Sequence, residues 1–519
     1  KTLTEESGVT HKFTLRPPAA ASKLQCTALE WNASGTVLIA VFGRIDMSGW
    51  CTLPGVLAAW SLFRRDFDHE KPPETVIDHS SCLMSLACHP TKPSIVAVGS
   101  FNGEVILYDL TNPEPLVHAS QIDDYFHREP VAQLRWIYDV EQQDHVLSSV
   151  SSDGKVLFWS LRHALTYPVF GTKLSLHKPV TANNETQSAA TTSISSALRH
   201  SGSVHGGTAV AFIGSSAESK DCTVQMSPMI VGTEAGGLLG CPPPGIRESL
   251  PRLKNWDADA AAILSYVSGR ERVSVQAHVE QWARHQRLRH IDAHAVFSSK
   301  PDPEALFSSE NQRQTRYEAH SGPVLALEAS PFHRHCFLST GADGNLRLFS
   351  LLQSRPLIAL EPAAFTALLG AGWSRTRPMV FGVSAANGMV YIYDLLKSVA
   401  TPVSVLTPPN GSSVSDPATS IAFNSRMRSL LATGSGSGTV HVWDLSWELA
   451  NASVGEKQAL AAVVRKLSEG DDDDESNDAS SSSNNSTSSD KESDDNNNNN
   501  PNAVLEETPT SSPQEEEDR

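Results

Sequence analysis

The sequence predicts an all-β fold made of seven similar sheets, because one pattern recurs along the chain. In each copy an apolar strand precedes a strand of small residues, a tight Asp-Gly or Asn-Gly turn, and an alternating strand that ends in an aromatic residue. The clearest copies occupy residues 85–110, 326–351 and 420–445. A period of about 40 to 50 residues with a final Trp-Asp pair is typical of β-propeller blades. We therefore predict a seven-bladed WD40 β-propeller, a fold that usually serves as a docking surface.

The aromatic residues at the strand ends set the number and spacing of the blades. Neighbouring ends are 44 to 51 residues apart, except for an interval of 190 residues between Trp159 and Phe349. That interval holds one degenerate copy, which ends near residues 238–241, so the rest of it must be insertions. The aromatic ends are Trp60, Tyr108, Trp159, Phe349, Tyr393 and Trp443, and Asp444 completes the Trp-Asp pair of the last copy.

Two insertions are therefore expected within a propeller that spans residues 24–450. Residues 162–208 are rich in Ser, Thr, Ala and Asn, a composition that favours a mobile loop. Residues 242–318 contain two stretches with helical periodicity, 257–268 and 275–291.

The two ends of the chain are predicted to have different roles. Residues 1–23 precede the first blade, and a strand at 11–16 is expected to pair with the last blade and cover its open edge. Residues 456–467 are predicted to form a short amphipathic helix. Residues 469–519 hold 17 acidic and 2 basic side chains, and this composition predicts a disordered acidic tail.

The charge distribution argues against nucleic acid as a partner. The net charge is −17, but the residues before the tail carry 41 acidic and 39 basic groups, a net of −2. A nearly neutral propeller lacks the basic patch that binding to phosphates needs. No run of about 18 apolar residues is present, so we expect no membrane insertion. The seven cysteines form no CxxC pair, which favours a reducing, cytosolic compartment.

Only one blade keeps most of the polar residues that hydrogen-bond within WD40 blades. The set is His320, Ser339 or Thr340, Asp343 and the aromatic Phe349. In another blade Asp153 precedes Gly154 in a tight turn, since Asp and Gly tolerate the backbone angles of such turns. We interpret these residues as structural.

The sequence predicts no catalytic, cofactor or metal site, and hence no enzyme. The glycine-rich segment 434–438 lacks the lysine and the helix that follow a phosphate-binding loop. His290 and His294 share one face of a predicted helix, but no third ligand is evident.

Four arginines are candidates for contact with an acidic partner. Arg64 and Arg65 follow the first blade's terminal strand, and Arg284 and Arg287 lie in the second insertion. The alternative is that they belong to solvated surfaces with no partner.

Several blades contain distinctive sequence segments in addition to the general repeat pattern. Residues 26–50 (CTALEWNASGTVLIAVFGRIDMSGW) contain a Trp-Asn-x-x-Gly turn followed by Phe-Gly. Further distinctive segments are 330–344 (SPFHRHCFLSTGADG), 373–381 (WSRTRPMVF) and 422–446 (AFNSRMRSLLATGSGSGTVHVWDLS). In these segments the chain resembles the dynein intermediate chains, over roughly residues 24–450 with gaps at both insertions. Within the family it is most similar to the smaller intermediate chain of cytoplasmic dynein 2, the motor of retrograde intraflagellar transport.

The resemblance implies a non-catalytic motor subunit. Its propeller would bind the tail of a dynein heavy chain, and an N-terminal region largely absent here would bind dynein light chains and a second intermediate chain. Contact with intraflagellar transport trains would be indirect. The expected location is the cytoplasm and the cilium or flagellum, including the axoneme and the basal body. The alternatives are an intermediate chain of an axonemal or other dynein, or a general WD40 adaptor such as a ubiquitin-ligase receptor.

Overall fold

The computed structural model describes residues 8–46, 49–121, 125–139, 143–174, 205–214, 227–242, 315–409 and 416–477. Within these ranges the strands form seven antiparallel sheets of four strands each, which confirms the predicted seven-bladed β-propeller.

The blades follow one another along the chain, and the first strand of each lies next to the central channel. Strand β1 is Val9–Leu15, and blade 1 comprises β2 (Gln25–Trp31), β3 (Val37–Gly43), β4 (Gly55–Ser61) and β5 (Thr75–His79). Blade 2 comprises β6 (Leu83–Cys88), β7 (Ile95–Ser100), β8 (Val105–Asp109) and β9 (Leu116–Ala119). Blade 3 comprises β10 (Val131–Asp139), β11 (Asp144–Ser151), β12 (Lys155–Ser160) and β13 (Phe170–Lys173).

The remaining four blades have the same order. Blade 4 comprises β14 (Gly207–Phe212), β15 (Met229–Thr233), β16 (Leu238–Cys241) and β17 (Thr315–Tyr317). Blade 5 comprises β18 (Val324–Ala329), β19 (Cys336–Gly341), β20 (Leu346–Ser350) and β21 (Pro356–Leu360). Blade 6 comprises β22 (Leu368–Trp373), β23 (Val380–Ala385), β24 (Val390–Asp394) and β25 (Ser404–Leu406). Blade 7 comprises β26 (Ala418–Phe423), β27 (Leu430–Ser435), β28 (Val440–Leu445) and the N-terminal β1.

Both sides of each blade are apolar because a blade lies between two neighbours. In β12 the side chains from Val156 to Trp159 are all buried, whichever side of the sheet they face. One apolar cluster joins Ile39 and Val41 of blade 1 to Leu86 and Val98 of blade 2. Burial of this kind, repeated between neighbouring blades, is the main source of stability in the ring.

The first and last blades close the ring. Strand β1 pairs antiparallel with β28, from Val9 opposite Leu445 to Leu15 opposite Val440. The Trp31 indole N–H donates to the Ala422 carbonyl at 3.2 Å and so joins blade 1 to blade 7. The edge of β28 is therefore paired rather than open to other chains.

Two strands lie inside ranges that the sequence pattern assigns to insertions. Strand β13 falls within 162–208, which also contains the start of β14, and β17 falls within 242–318. The sequence pattern does not mark these outermost strands, because four and three residues are too few to show an alternating apolar pattern. A 3₁₀ helix at Leu161–His163 precedes β13, and another lies at Ala19–Ala21. The helices predicted at 257–268 and 275–291 lie outside the described residues.

Two helices follow the last blade, α1 (Trp447–Ala450) and α2 (Glu456–Asn477). Helix α2 is longer than the predicted 456–467 and continues through the first residues of the acidic segment to Asn477. Leu460 and Val464 of α2 are buried in the apolar cluster of blade 6. The rest of the predicted tail, 478–519, lies outside the described residues.

A buried ion cluster joins α2 to blade 6. The Arg377 Nε lies 2.9 Å from a Glu456 carboxylate oxygen, and its Nη1 lies 3.1 Å from a carboxylate oxygen of Asp394. The side chains of Arg377, Glu456 and Asp394 are 5%, 1% and 0% exposed, respectively. Two carboxylates around one guanidinium therefore hold the start of α2 in place.

Candidate interaction surface

The strand order gives the disc two different faces. The first face carries the loops between the second and third strands of each blade, together with the connections from one blade to the next. The second face carries the loops between the first and second strands and those between the third and fourth strands. Helix α1 lies on the second face, where the Thr376 hydroxyl donates to the Ala450 carbonyl at 2.9 Å.

The polar residues expected in blade 5 form one network at the first face. The His320 Nε2 lies 2.8 Å from the Ser339 hydroxyl, and its Nδ1 lies 3.0 Å from the Asp343 carboxylate. Burial lowers the pKa of His320, so the neutral imidazole donates to Asp343 and accepts from Ser339. Burial opposes the Asp343 charge, but hydrogen bonds from Asn345 and His320 outweigh it and lower the pKa of Asp343 to about 2.

Blade 3 contains a second network that the sequence analysis missed, so the expectation of a single such blade was wrong. The His127 Nε2 lies 2.8 Å from the Ser149 hydroxyl, and its Nδ1 lies 3.2 Å from Asp153. The Trp159 indole N–H also donates to Ser149 at 2.8 Å. This network is more complete than that of blade 5, where Phe349 has no N–H group to donate.

A sequence signal for this network does exist. His127 and His320 each lie three residues before a proline, Pro130 or Pro323, that is followed by valine. The wider spacing from His127 to Asp153, 26 residues against 23 in blade 5, obscured the match.

The other blade-signature residues pack between blades. The Trp443 indole N–H donates to the Thr433 hydroxyl at 3.0 Å. Trp60, Tyr108 and Tyr393 are buried. Neither the Trp60 indole nitrogen nor the Tyr393 hydroxyl has a hydrogen-bond partner within the described part of the chain. Asp444 pairs across the sheet with Leu430 and is only partly buried.

Two of the four candidate arginines lie on the second face. Arg64 and Arg65 are exposed in the loop between β4 and β5. Arg64 contacts Asp66 at 3.2 Å and Glu74 at 3.3 Å, so acidic neighbours already compensate part of its charge. Arg284 and Arg287 lie outside the described residues.

Exposed apolar side chains are more frequent on the second face. Among the described residues its loops and α1 present seven large ones: Phe63, Leu352, Leu396, Val399, Met427, Trp447 and Val454. The loops of the first face present four: Ile45, Trp50, Leu53 and Phe365. Trp447 is 80% exposed at the first turn of α1. Exposed aromatic residues of this kind are common anchors of protein interfaces.

The first face also holds one tryptophan in a fixed position. Trp50 is 65% exposed, yet the next residue, Cys51, is buried. The Cys51 backbone N–H donates to the Asn102 side chain at 2.9 Å, and its carbonyl accepts from the same amide at 2.9 Å. Blade 2 therefore anchors the loop that carries Trp50.

The central channel contains a charged cluster near the second face. A cavity of about 310 Å³ is lined by the first strands of the blades and the loops that follow them. Arg135 of blade 3 and Arg375 of blade 6 both contact Glu328 of blade 5, at 2.7 Å and 2.9 Å. The Glu30 carboxylate, which accepts from the Cys88 backbone N–H at 2.7 Å, lies close by. Burial raises the pKa of Glu30, and the Cys88 hydrogen bond and the two arginines only partly offset this.

The described residues also bear on metal binding and on membrane-spanning helices. They contain no group of three or more His, Cys, Asp or Glu side chains that could hold a metal ion. None of the described helices is long and apolar enough to cross a membrane.

The repeat matches a known family of domains. The family described as WD domain, G-beta repeat, matches residues 311–350 and 401–444. These segments include the inner three strands of blade 5 and most of blade 7. The match agrees with the propeller architecture.

The chain is also similar to motor subunits. It is 31% identical over 464 residues to human "Cytoplasmic dynein 2 intermediate chain 2", in an alignment that covers 87% of this chain and 71% of that protein. It is 35% identical over 146 residues to bovine "Dynein axonemal intermediate chain 1", which covers 27% of this chain and 19% of that protein. It is 23% identical over 391 residues to Xenopus laevis "Dynein axonemal intermediate chain 4", in an alignment that covers 73% of this chain and 40% of that protein.

Proposed function

The chain belongs to the dynein intermediate chain family, and we propose that it is a non-catalytic intermediate chain of cytoplasmic dynein 2. In this proposal the propeller binds the tail of a dynein heavy chain and helps to assemble the motor for retrograde intraflagellar transport. A second intermediate chain and dynein light chains complete the assembly. The proposed location is the cytoplasm and the cilium or flagellum, including the axoneme and the basal body.

One observation carries the choice of dynein 2 over an axonemal dynein. The similarity to the dynein 2 intermediate chain runs through 87% of this chain at 31% identity. Of the two axonemal relatives described above, one matches only 27% of the chain and the other is only 23% identical.

We assign the heavy-chain contact to the second face. This face presents most of the exposed apolar side chains of the described loops, including Trp447 at 80% exposure. Arg64 and Arg65 add positive charge at its rim. A rigid closed ring presents these side chains with little loss of conformational entropy on binding, which favours a stable complex.

Affinity capture from ciliated cells followed by mass spectrometry tests the proposal. The tagged wild-type chain is expected to recover a dynein 2 heavy chain, light chains and a second intermediate chain. Recovery of an axonemal heavy chain, or of a ubiquitin-ligase adaptor without any dynein, would favour the corresponding alternative instead.

Two matched variants locate the contact. Trp447→Ala on the second face is expected to reduce heavy-chain recovery at least tenfold, since central interface tryptophans commonly contribute 2 kcal/mol or more. Trp50→Ala on the first face removes an equally large exposed side chain and is expected to leave recovery unchanged. The opposite pattern would move the heavy-chain site to the first face.

A further inference from the structure

The arginines of the central channel have unused capacity for hydrogen bonds. A guanidinium group has five N–H donors. Arg135 and Arg375 each use one terminal nitrogen on Glu328, at 2.7 Å and 2.9 Å. Neither guanidinium makes another hydrogen bond to a residue that the structure describes. Both line the cavity, and their side chains remain 32% and 28% exposed.

Glu328 brings these two groups together from separate blades. Its side chain is 7% exposed, and each of its oxygens accepts from one arginine. Two guanidinium groups held on one carboxylate can also bind a second anionic group on their open side. Carboxylates and phosphates both suit this geometry, because arginine donates to them in parallel pairs.

The charge around the cavity favours an anion. Its lining includes Glu30 and Glu328 against Arg135, Arg375 and Arg426. The cavity lining therefore has three arginines and two carboxylates. Arg426 is exposed, and its Nε donates to the Ala33 carbonyl at 3.2 Å.

The size of the cavity restricts what can enter it. A volume of about 310 Å³ lies at the lower end of the range for small-molecule pockets, roughly 300 to 1,000 Å³. The occupant must therefore be small, which separates this site from the contact with the heavy chain.

We propose that the channel binds a small anion carrying phosphate or carboxylate groups, which bridges Arg135 and Arg375 opposite Glu328. The site does not depend on the proposed motor function, and its test needs no dynein partner.

Isothermal titration calorimetry of the full chain tests the proposal, with pyrophosphate as the phosphate probe and citrate as the carboxylate probe. At least one probe is expected to bind the wild-type chain saturably with one site, and the tighter of the two identifies the chemical class. Arg375→Gln is expected to weaken this binding at least tenfold, since it removes a charged donor. Arg64→Gln, which removes an exposed arginine that does not line the cavity, is the matched control and should leave binding of the probe unchanged.

Glu328→Gln is expected to raise the affinity for the probe, whereas the arginine variants lower it. This difference separates a ligand site from arginines with a purely structural role. The Glu328→Gln change frees both guanidinium groups from their carboxylate, so the same probe is expected to bind several-fold more tightly. Arg375→Lys keeps the charge but loses the planar pair of N–H donors. It should weaken binding, and it serves as the test variant if Arg375→Gln does not fold.

The proposal is wrong if neither probe binds the wild-type chain at millimolar concentration. It is also wrong if Arg64→Gln weakens binding as much as Arg375→Gln, or if Glu328→Gln weakens it.

Discussion

At the scale of single residues, the blade signature consists of buried groups that few other side chains could replace. Trp443 is 4% exposed, and its indole N–H donates to Thr433 at 3.0 Å. His127, Ser149, Asp153 and Trp159 form a continuous network in blade 3. These residues fix the blades in position, and the side chains that we assign to partner binding lie elsewhere.

Trp443→Ala is expected to lower the free energy of unfolding by about 3–5 kcal/mol, because it removes a large buried aromatic and leaves a cavity. Trp447→Ala is the matched control, since Trp447 is 80% exposed and should change stability by less than about 0.5 kcal/mol. Thermal and urea denaturation of the two variants measure the difference. Equal stability of both would show that the packing described for blade 7 is wrong.

The two aspartates of the blade networks predict a loss of stability in acid. The folded state lowers the pKa of Asp153 and of Asp343 from 3.8 to about 2. A carboxyl group whose pKa is lower in the folded state stabilises it above the unfolded value, and this contribution disappears as the pH falls through the folded value. Melting temperatures should therefore drop between pH 4 and pH 2, with a shallower slope in the Asp153→Asn, Asp343→Asn double variant. An unchanged slope in that variant would contradict the networks.

At the scale of elements, the third strand of each blade could be predicted, as could the N-terminal strand that completes blade 7, whereas the fourth strands of blades 3 and 4 could not. Strands such as β12 are buried on both sides and end in an aromatic residue, so their pattern is visible in the sequence. Strands β13 and β17 have only four and three residues, which is too short for an alternating pattern, so their sequences resemble loops. The channel cluster was also missed, because Arg135 and Glu328 are 193 residues apart and only the closed ring brings them together.

Helix α2 is predicted to be part of the propeller's stability. A chain that ends at residue 455 loses Leu460 and Val464, which are buried, together with the Glu456 contact to Arg377. We expect it to lose about 3 to 6 kcal/mol from the two side chains alone. A chain that ends at residue 468 keeps these contacts and lacks only the acidic segment, so it should melt like the full chain. Equal melting of both truncated chains would show that α2 adds nothing to the fold.

At the scale of the whole molecule, the ring is closed and its two faces differ. The pairing of β1 with β28 leaves no open edge at the junction of the first and last blades. Most of the exposed apolar side chains of the described loops then lie on the second face, around a charged channel. Such a disc can bind a large partner on one face while a separate small anion occupies the channel.

Direct binding to a purified heavy-chain tail is the decisive measurement for the proposed role of the propeller. The purified chain is mixed with the purified tail of a dynein 2 heavy chain, and the molar mass of the mixture is measured by light scattering after size-exclusion chromatography. We predict a stable complex containing both proteins, which Trp447→Ala weakens and Trp50→Ala leaves intact. Separate elution of the folded wild-type chain and the tail, with no complex at micromolar concentrations, would contradict the account.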